Sequence, residues 1–212
     1  MIIFDWDGTL CDSVAQIVVA VQQAATGMGL KAPSDAAAAN IIGLGLREAL
    51  ARLYPDIPEE ELVAMIKAYS ATYVANEEAP PQLFPGALDT LQALRDSGYA
   101  LGVATGKSRR GLDRVLARLG MEEFFEITRC ADETRSKPHP QMLQEIMAVQ
   151  QVAPHEVIMV GDTEYDLEMA ANAGVASVGV SFGVHSVSRL QKYGPLAVVD
   201  SLPELIAVIG AR

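Results

Sequence analysis

Met1-Ile2-Ile3-Phe4-Asp5-Trp6-Asp7-Gly8-Thr9-Leu10 decides how the rest of the chain is read. Four apolar residues in unbroken succession, bounded by polar residues, read as a short strand buried on both faces, the pattern of a parallel sheet. The run stops at two carboxylates spaced i, i+2 and then a glycine suited to a tight turn. In an open α/β sheet, ligands bind outside the carboxyl ends of the strands. Asp5 and Asp7 therefore fall at the expected functional edge, although D-x-D-G alone also suits an ordinary polar turn closing a strand.

Working outward, further apolar runs read as buried strands at Tyr99–Ala104, Glu156–Val160 and Val175–Val180, with weaker strands at Glu126–Cys130 and Leu196–Val199. Helical stretches lie between them. Gly86–Ser97 closes at Gly98, and Ser108–Leu119 starts on an N-cap serine and ends at Gly120. Pro140–Gln151 follows, then Glu164–Ala173, closed by Gly174. Strand and helix alternate from about residue 84 onward, which predicts a doubly wound α/β sheet. Residues 12–82 break the alternation. They carry helical patterns at Ser13–Met28, Leu46–Tyr54 and Pro58–Asn76, and the Ala36–Ala39 tract also reads as helix. The expectation is a Rossmann-like parallel-sheet core formed by residues 1–11 and 83–212, with residues 12–82 inserted as a helical cap domain. Glu77–Pro85, with Pro80, Pro81 and Pro85, is the return linker.

The 212 residues suffice for such a domain and insert. With 27 acidic against 16 basic residues, the net charge of −11 predicts repulsion from nucleic acid and from anionic membrane surfaces. A small phosphorylated metabolite remains compatible, because a metal ion and a few cations can reverse the field inside a cleft. Cys11 and Cys130 form no C-x-x-C pair and read as reduced thiols. No segment reads as a signal peptide or membrane span, so a soluble, cytoplasmic protein is expected, as a monomer or homodimer.

Three more signals follow other strands. Thr105-Gly106 comes after Leu101–Val103, Ser136-Lys137-Pro138 after the weak strand at Glu126–Cys130, and Gly161-Asp162-Thr163-Glu164-Tyr165-Asp166 after Val157–Val160. Singly, Thr105 reads as an ordinary helix-start residue, Lys137 as a solvated lysine and Asp162 as a helix cap. Their joint appearance in this order, each at the carboxyl end of a strand, changes the reading.

Taken together, D-x-D-G-T (Asp5–Thr9), Thr105, Lys137 and G-D-x-x-x-D (Gly161–Asp166) resemble the motifs of the haloacid-dehalogenase-like superfamily. The resemblance covers essentially the whole chain, the helical insert included. The chain looks most similar to the phosphoglycolate-phosphatase-like branch, through F-D-W-D-G-T-L-C-D-S, Leu83-Phe84-Pro85-Gly86, S-K-P-H-P and the segment Ser181–His185. The resemblance implies a Mg²⁺-dependent phosphatase that forms an aspartyl-phosphate on Asp5. Dehalogenases of the superfamily lack a carboxylate at the position of Asp7, and phosphonatases carry a small residue there. Keeping both carboxylates points to phosphate monoesters.

The chemistry agrees with that implication. Phosphoryl transfer from a monoester dianion needs a nucleophile, charge neutralisation and a proton for the leaving oxygen. Asp5 can attack phosphorus, and a divalent cation must then offset the repulsion between two anions. Mg²⁺ takes about six oxygen ligands. The family pattern supplies the Asp5 carboxylate, the Asp7 main-chain carbonyl and the Asp162 carboxylate, with Asp166 holding a bound water. The Asp7 side chain is left to act as general acid and then base. Thr105 and the Gly106 amide can bind phosphate oxygens at a helix N-terminus, and Lys137 brings a positive charge to nucleophile and phosphate.

Outside the motifs, Arg47 lies where related caps place a substrate-contacting loop. It could hold a carboxylate, which makes 2-phosphoglycolate the named candidate substrate, or it could be solvated. Lys107, Arg109 and Arg110 read as a solvated helix face that could widen the positive field. His139 shapes its loop, His155 and His185 show no metal pattern, and Trp6 sits at a variable position between the aspartates. Two other functions compete with the phosphatase reading: a phosphosugar mutase of the same fold, and a non-catalytic binding protein that would be expected to have lost one of Asp5, Asp7, Lys137 or Asp162.

Overall fold

The computed structural model describes residues 1–77 and 81–210. Six strands form one parallel sheet: β1 (Ile2–Phe4), β2 (Leu101–Thr105), β3 (Ile127–Cys130), β4 (Ile158–Gly161), β5 (Ala176–Val180) and β6 (Val198–Val199). Their spatial order is β3-β2-β1-β4-β5-β6. The chain builds outward from β1 on one side, then crosses to β4 on the other, so the order reverses between β1 and β4. The crevice outside their carboxyl ends is where such sheets bind ligands.

Both faces of the sheet are covered, which is why the strands are continuously apolar. Ile2 and Phe4 point to one side, into a cluster with Leu91 and Leu94 of α5 (Ala87–Asp96), Leu112 of α6 (Arg109–Leu119) and Leu205 of α10 (Glu204–Gly210). Ile3 points to the other, with Leu143 of α7 (Gln141–Gln150) and Met169 of α8 (Glu164–Ala173). The helix ends follow the local signals: Ser108 Oγ accepts from Gly111 N, and Gly120 and Gly174 close α6 and α8 with left-handed φ of 65° and 70°.

Between β1 and α5 the described residues form four helices and no strand: α1 (Val14–Gly27), α2 (Asp35–Ala39), α3 (Leu46–Leu53) and α4 (Glu59–Ala75). They carry their own hydrophobic cluster, including Val21, Leu50, Leu62 and Met65. The fold is thus α/β, a Rossmann-like core with an inserted helical cap. The chain segments leading into and out of the insert are tied together: Asp12 N donates to Gln82 O at 2.9 Å, Phe84 N donates to Leu10 O at 2.9 Å, and Cys11 bridges Leu83. Part of the expected return linker, residues 78–80, lies outside the described residues.

The differences from expectation are local. The strand expected at Tyr99–Ala104 is shifted to Leu101–Thr105, and Glu156 belongs to a 3-10 turn, Pro154–Glu156, that precedes β4. The short helices α9 (Val187–Leu190) and α10 were not expected from the sequence, since one or two turns leave little periodicity to read. Among the described residues, no helix is long and apolar enough to cross a membrane.

Candidate active site

The motif residues gather at the carboxyl edge of the sheet, with Thr105 as the last residue of β2, and the fold brings four of them together. Asp5 follows β1 and Asp162 follows β4, its next neighbour in the sheet. Asp166 sits in the first turn of α8, and Lys137 stands in the loop after β3, preceding a cis peptide bond to Pro138. Lys137 Nζ donates to Asp5 Oδ1 at 2.7 Å and to Asp166 Oδ1 at 2.6 Å. All four side chains are buried, and Lys137 is only 2% exposed. The bland reading of a solvated lysine is therefore overturned: two carboxylates hold Lys137 in the interior, and their field raises its pKa against the cost of burial.

Asp162 is held by a cradle. Thr9 Oγ1 donates to its Oδ1 at 2.9 Å and Val184 N to its Oδ2 at 2.8 Å. Gly8, at φ 82°, approaches so closely that a Cβ would lie 2.4 Å from Asp162 Oδ2, and a Cβ on Gly183 would lie 2.2 Å from Asp162 Cβ. The glycine of D-x-D-G is thus needed both for its conformation and for space. Asp162 is not the cap of α8. That position belongs to Thr163, whose hydroxyl and amide both donate to Asp166 Oδ2, at 2.6 and 3.1 Å.

Asp5, Asp162 and Asp166 offer carboxylate oxygens that all lie within 4.8 Å of one another. Three carboxylates face the single ammonium of Lys137. Asp5 Oδ2 is buried without a hydrogen-bond partner. Burial is the main cause that raises the Asp5 carboxyl well above its ordinary value, opposed by Lys137 and reinforced by the other two aspartates. Asp162 is likewise pushed up to about 7, by burial and then by Asp166. An all-oxygen donor set with surplus negative charge and an unpartnered oxygen fits a hard divalent cation.

Asp7 is set apart from this cluster. Its Oδ1 accepts from Ser13 Oγ at 2.6 Å, and Lys107 Nζ donates to both of its oxygens, at 2.9 and 3.1 Å. The Lys107 ammonium also lies 5.0 Å from the centre of the Tyr73 ring on α4. The expected solvated face thus holds only in part. Lys107 is enclosed between Asp7 and the cap, with a side chain only 10% exposed, Arg109 pairs with Asp113 and Glu133, and Arg110 is exposed. Ser13 entered the sequence reading only as the last residue of F-D-W-D-G-T-L-C-D-S and the start of a helical stretch, with no role at the site.

Thr105 is buried, and its Oγ1 accepts from Lys107 N at 3.2 Å. Gly106 lies against the cap: a Cβ there would meet Leu44 O at 2.5 Å and Gly43 O at 2.8 Å. Arg47 is placed elsewhere. Its Nη1 donates to both Glu59 oxygens, at 2.7 and 3.0 Å, in a pair whose side chains are 50% and 69% exposed. Trp6 turns away from the aspartates into the core, edge-on to Phe125. His139 Nδ1 accepts from Gln141 N at the start of α7, and His185 Nδ1 accepts from Glu164 N, so both support loops. The thiols of Cys11 and Cys130 are buried and raised to about 12, chiefly by that burial.

The profile of the Haloacid dehalogenase-like hydrolase family matches residues 2–180. Among curated proteins, the chain is 32% identical to "Probable phosphatase IndB" of Dickeya dadantii, over 100% of this chain and 94% of that one. It is 30% identical to a phosphoglycolate phosphatase of Vibrio vulnificus, over 99% and 95% of the two chains. A solved haloacid dehalogenase-like family hydrolase from Streptococcus pneumoniae is 25% identical, with a TM-score of 0.84, over 98% of this chain and 97% of that one.

Proposed function

Since the chain belongs to the haloacid dehalogenase-like hydrolase family, we propose that it is a Mg²⁺-dependent phosphatase that hydrolyses a small phosphorylated metabolite through an aspartyl-phosphate on Asp5. The observation that carries this reading is the charge count of the buried cluster: three carboxylates, one ammonium, and an Asp5 oxygen with no partner. The names of the relatives, phosphatases at 30% and 32% identity, support it.

In this mechanism the Asp5 carboxylate attacks phosphorus, the ester P–O bond breaks, and the leaving oxygen takes a proton from Asp7 and departs as an alcohol. Water then attacks the phosphorus of the aspartyl-phosphate and gives its proton to Asp7. The P–O bond to Asp5 breaks, releasing phosphate and restoring the carboxylate. Lys137 fixes the orientation of the Asp5 carboxylate through Oδ1. The Asp7 carboxyl must come away from Lys107 to reach a leaving oxygen. Thr105 and the Gly106 amide bind phosphate oxygens. Asp5, the Asp7 main-chain carbonyl and Asp162 would hold Mg²⁺, with Asp166 beside them holding a bound water. The ion supplies charge neutralisation for nucleophile and phosphate.

The same reading makes residues 12–82 a cap domain over a core of residues 1–11 and 83–212. It is supported by the cap's separate cluster and by the hydrogen bonds that tie its two connections together. 2-Phosphoglycolate enters as a candidate substrate through the names of relatives. The carboxylate anchor proposed for it, Arg47, would have to exchange Glu59 for substrate.

Phosphate release from a panel of monoesters tests the reading. Release should require Mg²⁺, stop with EDTA and need no bisphosphate primer. A requirement for a bisphosphate primer would identify a mutase instead. Full activity in metal-free buffer would rule the mechanism out.

A further inference from the structure

The cap is seated on the core. Gly45 N donates to Ser136 Oγ at 2.7 Å, and Arg52 Nη1 donates to Tyr165 OH at 2.8 Å. Tyr165 OH in turn donates to Asn40 O at 2.9 Å. A cavity of about 590 Å³ nevertheless remains between them, with Asp7 and Gly106 of the catalytic edge among its lining. Its cap side is largely apolar: Ile17 from α1, Ile41, Ile42 and Leu44 from the loop before α3, and Ile66 and Tyr69 from α4. The cations that line it are Lys67 from α4 and, from the core, Lys107, Arg110 and Arg114, with Lys107 held by Asp7. Arg114 is ion-paired with Glu77.

The cavity is far larger than a small carboxylated ester needs. 2-Phosphoglycolate has only about nine non-hydrogen atoms, while cavities of roughly 300–1,000 Å³ take drug-sized ligands. Arg47, the residue expected to meet its carboxylate, is not among the lining residues. An apolar cap wall facing Asp7, Lys107 and the α6 guanidiniums favours a ligand that is a dianion at one end and hydrophobic at the other.

We infer that the substrate is a phosphomonoester whose leaving alcohol carries a bulky apolar body of aromatic size, seated against Ile41, Ile42, Ile66 and Tyr69 while the phosphate meets Asp5. This rests on the phosphatase reading above and adds the chemistry of the leaving group. The bonds made and broken are those already described, with the bulky alcohol taking the proton from Asp7. Burial of its apolar body beneath the seated cap gives binding energy that a short ester lacks.

The test is phosphate release, with Mg²⁺ present, from four alkyl esters: ethyl, 2-phenylethyl and 2-(1-naphthyl)ethyl phosphate, and 2-phosphoglycolate. The three alcohols are of similar basicity, so differences report the pocket and not the leaving group. kcat/KM should rise along the series, with the naphthylethyl ester on the order of a hundredfold above both ethyl phosphate and phosphoglycolate. Ala71→Trp, at an exposed position of α4 that lines the cavity, should lower the naphthylethyl-to-ethyl ratio at least about tenfold. A thermal melt checks that the variant is folded. A flat series, a preference for phosphoglycolate, or an unchanged ratio in folded Ala71→Trp overturns the inference and leaves the phosphatase reading standing. Release of phosphate from none of the esters, or release that is equal in Asp5→Asn, removes the phosphatase reading and the inference with it.

Discussion

The carboxyl edge of the sheet and the inner face of the cap are built on opposite principles. At the sheet edge, charged groups are withdrawn from water: Asp5, Lys137, Asp162 and Asp166 are each no more than 2% exposed, and each is held by named hydrogen bonds. On the cap side the wall of the cavity is mostly aliphatic and aromatic, and polar contacts such as Gly45 to Ser136 and Arg52 to Tyr165 help to seat the cap. Buried charges are costly unless paired, so their arrangement tolerates little change. An apolar wall is held by volume and can be resized at modest cost. The contrast assigns chemistry to the edge and discrimination between leaving groups to the cap.

Perturbing the edge should therefore have the larger effects. Asp5→Asn keeps the shape and removes the nucleophile, so turnover should fall on the order of a thousandfold or more while the thermal melt stays cooperative. Activity within tenfold of wild type would remove Asp5 from its role. Lys137→Met leaves Asp5 and Asp166 buried without their cation. It should cost about 3–5 kcal/mol in denaturant unfolding without metal, and added Mg²⁺ should return part of that loss. A loss below about 1 kcal/mol would mean that the charges are not coupled as their distances imply.

The pH dependence sharpens the same contrast. Asp162 titrates at about 7 in the folded protein against an ordinary value of 3.8, so the folded state keeps its proton longer than the unfolded chain. Its contribution to stability therefore decreases as pH rises from about 4 to about 7. Binding Mg²⁺ requires that proton to leave. The increase in Tm on adding saturating Mg²⁺ should be larger at about pH 8 than at about pH 5.5. An increase independent of pH would mean that the metal does not use these carboxylates.

On the cap side, smaller effects are expected. Tyr165→Phe removes the hydroxyl that joins Arg52 to Asn40 and should cost about 1 kcal/mol in unfolding. Arg47→Ala is expected to be the mildest change. An exposed pair with Glu59 is worth about 0–1 kcal/mol, and the ratio of kcat/KM for phosphoglycolate to that for ethyl phosphate should stay within about threefold of wild type. A selective collapse of phosphoglycolate turnover would show that Arg47 exchanges Glu59 for substrate, and would restore the carboxylate anchor.

The two regions also differed in how far the sequence exposed them. The sheet edge was legible because its signals are local. Apolar runs mark the strands, Ser108, Gly120 and Gly174 mark helix ends, Asp5 and Asp162 follow directly after strands, and Thr105 ends one. The helices of the cap were legible for the same reason, but its contacts were not. Lys107 read as part of a solvated face because the residues that enclose it, Asp7 and Tyr73, lie 100 and 34 positions away in sequence. Arg47 read as a possible anchor because nothing adjacent reveals that Glu59, in the first turn of the next helix, lies within reach. Side-chain partnerships between distant elements depend on packing, which periodicity and caps do not encode.

The central claim is that Asp5 carries the phosphoryl group, and chemical capture of the intermediate tests it most directly. The enzyme is quenched during turnover of a good ester and reduced with borohydride, which converts an aspartyl-phosphate to homoserine. The peptide containing residues 1–11 is then sequenced by mass spectrometry. Homoserine should appear at position 5 and nowhere else, and should be absent when ester is omitted. Homoserine at Asp7, or unmodified Asp5 from an enzyme shown to accumulate a phosphorylated form, would contradict the account.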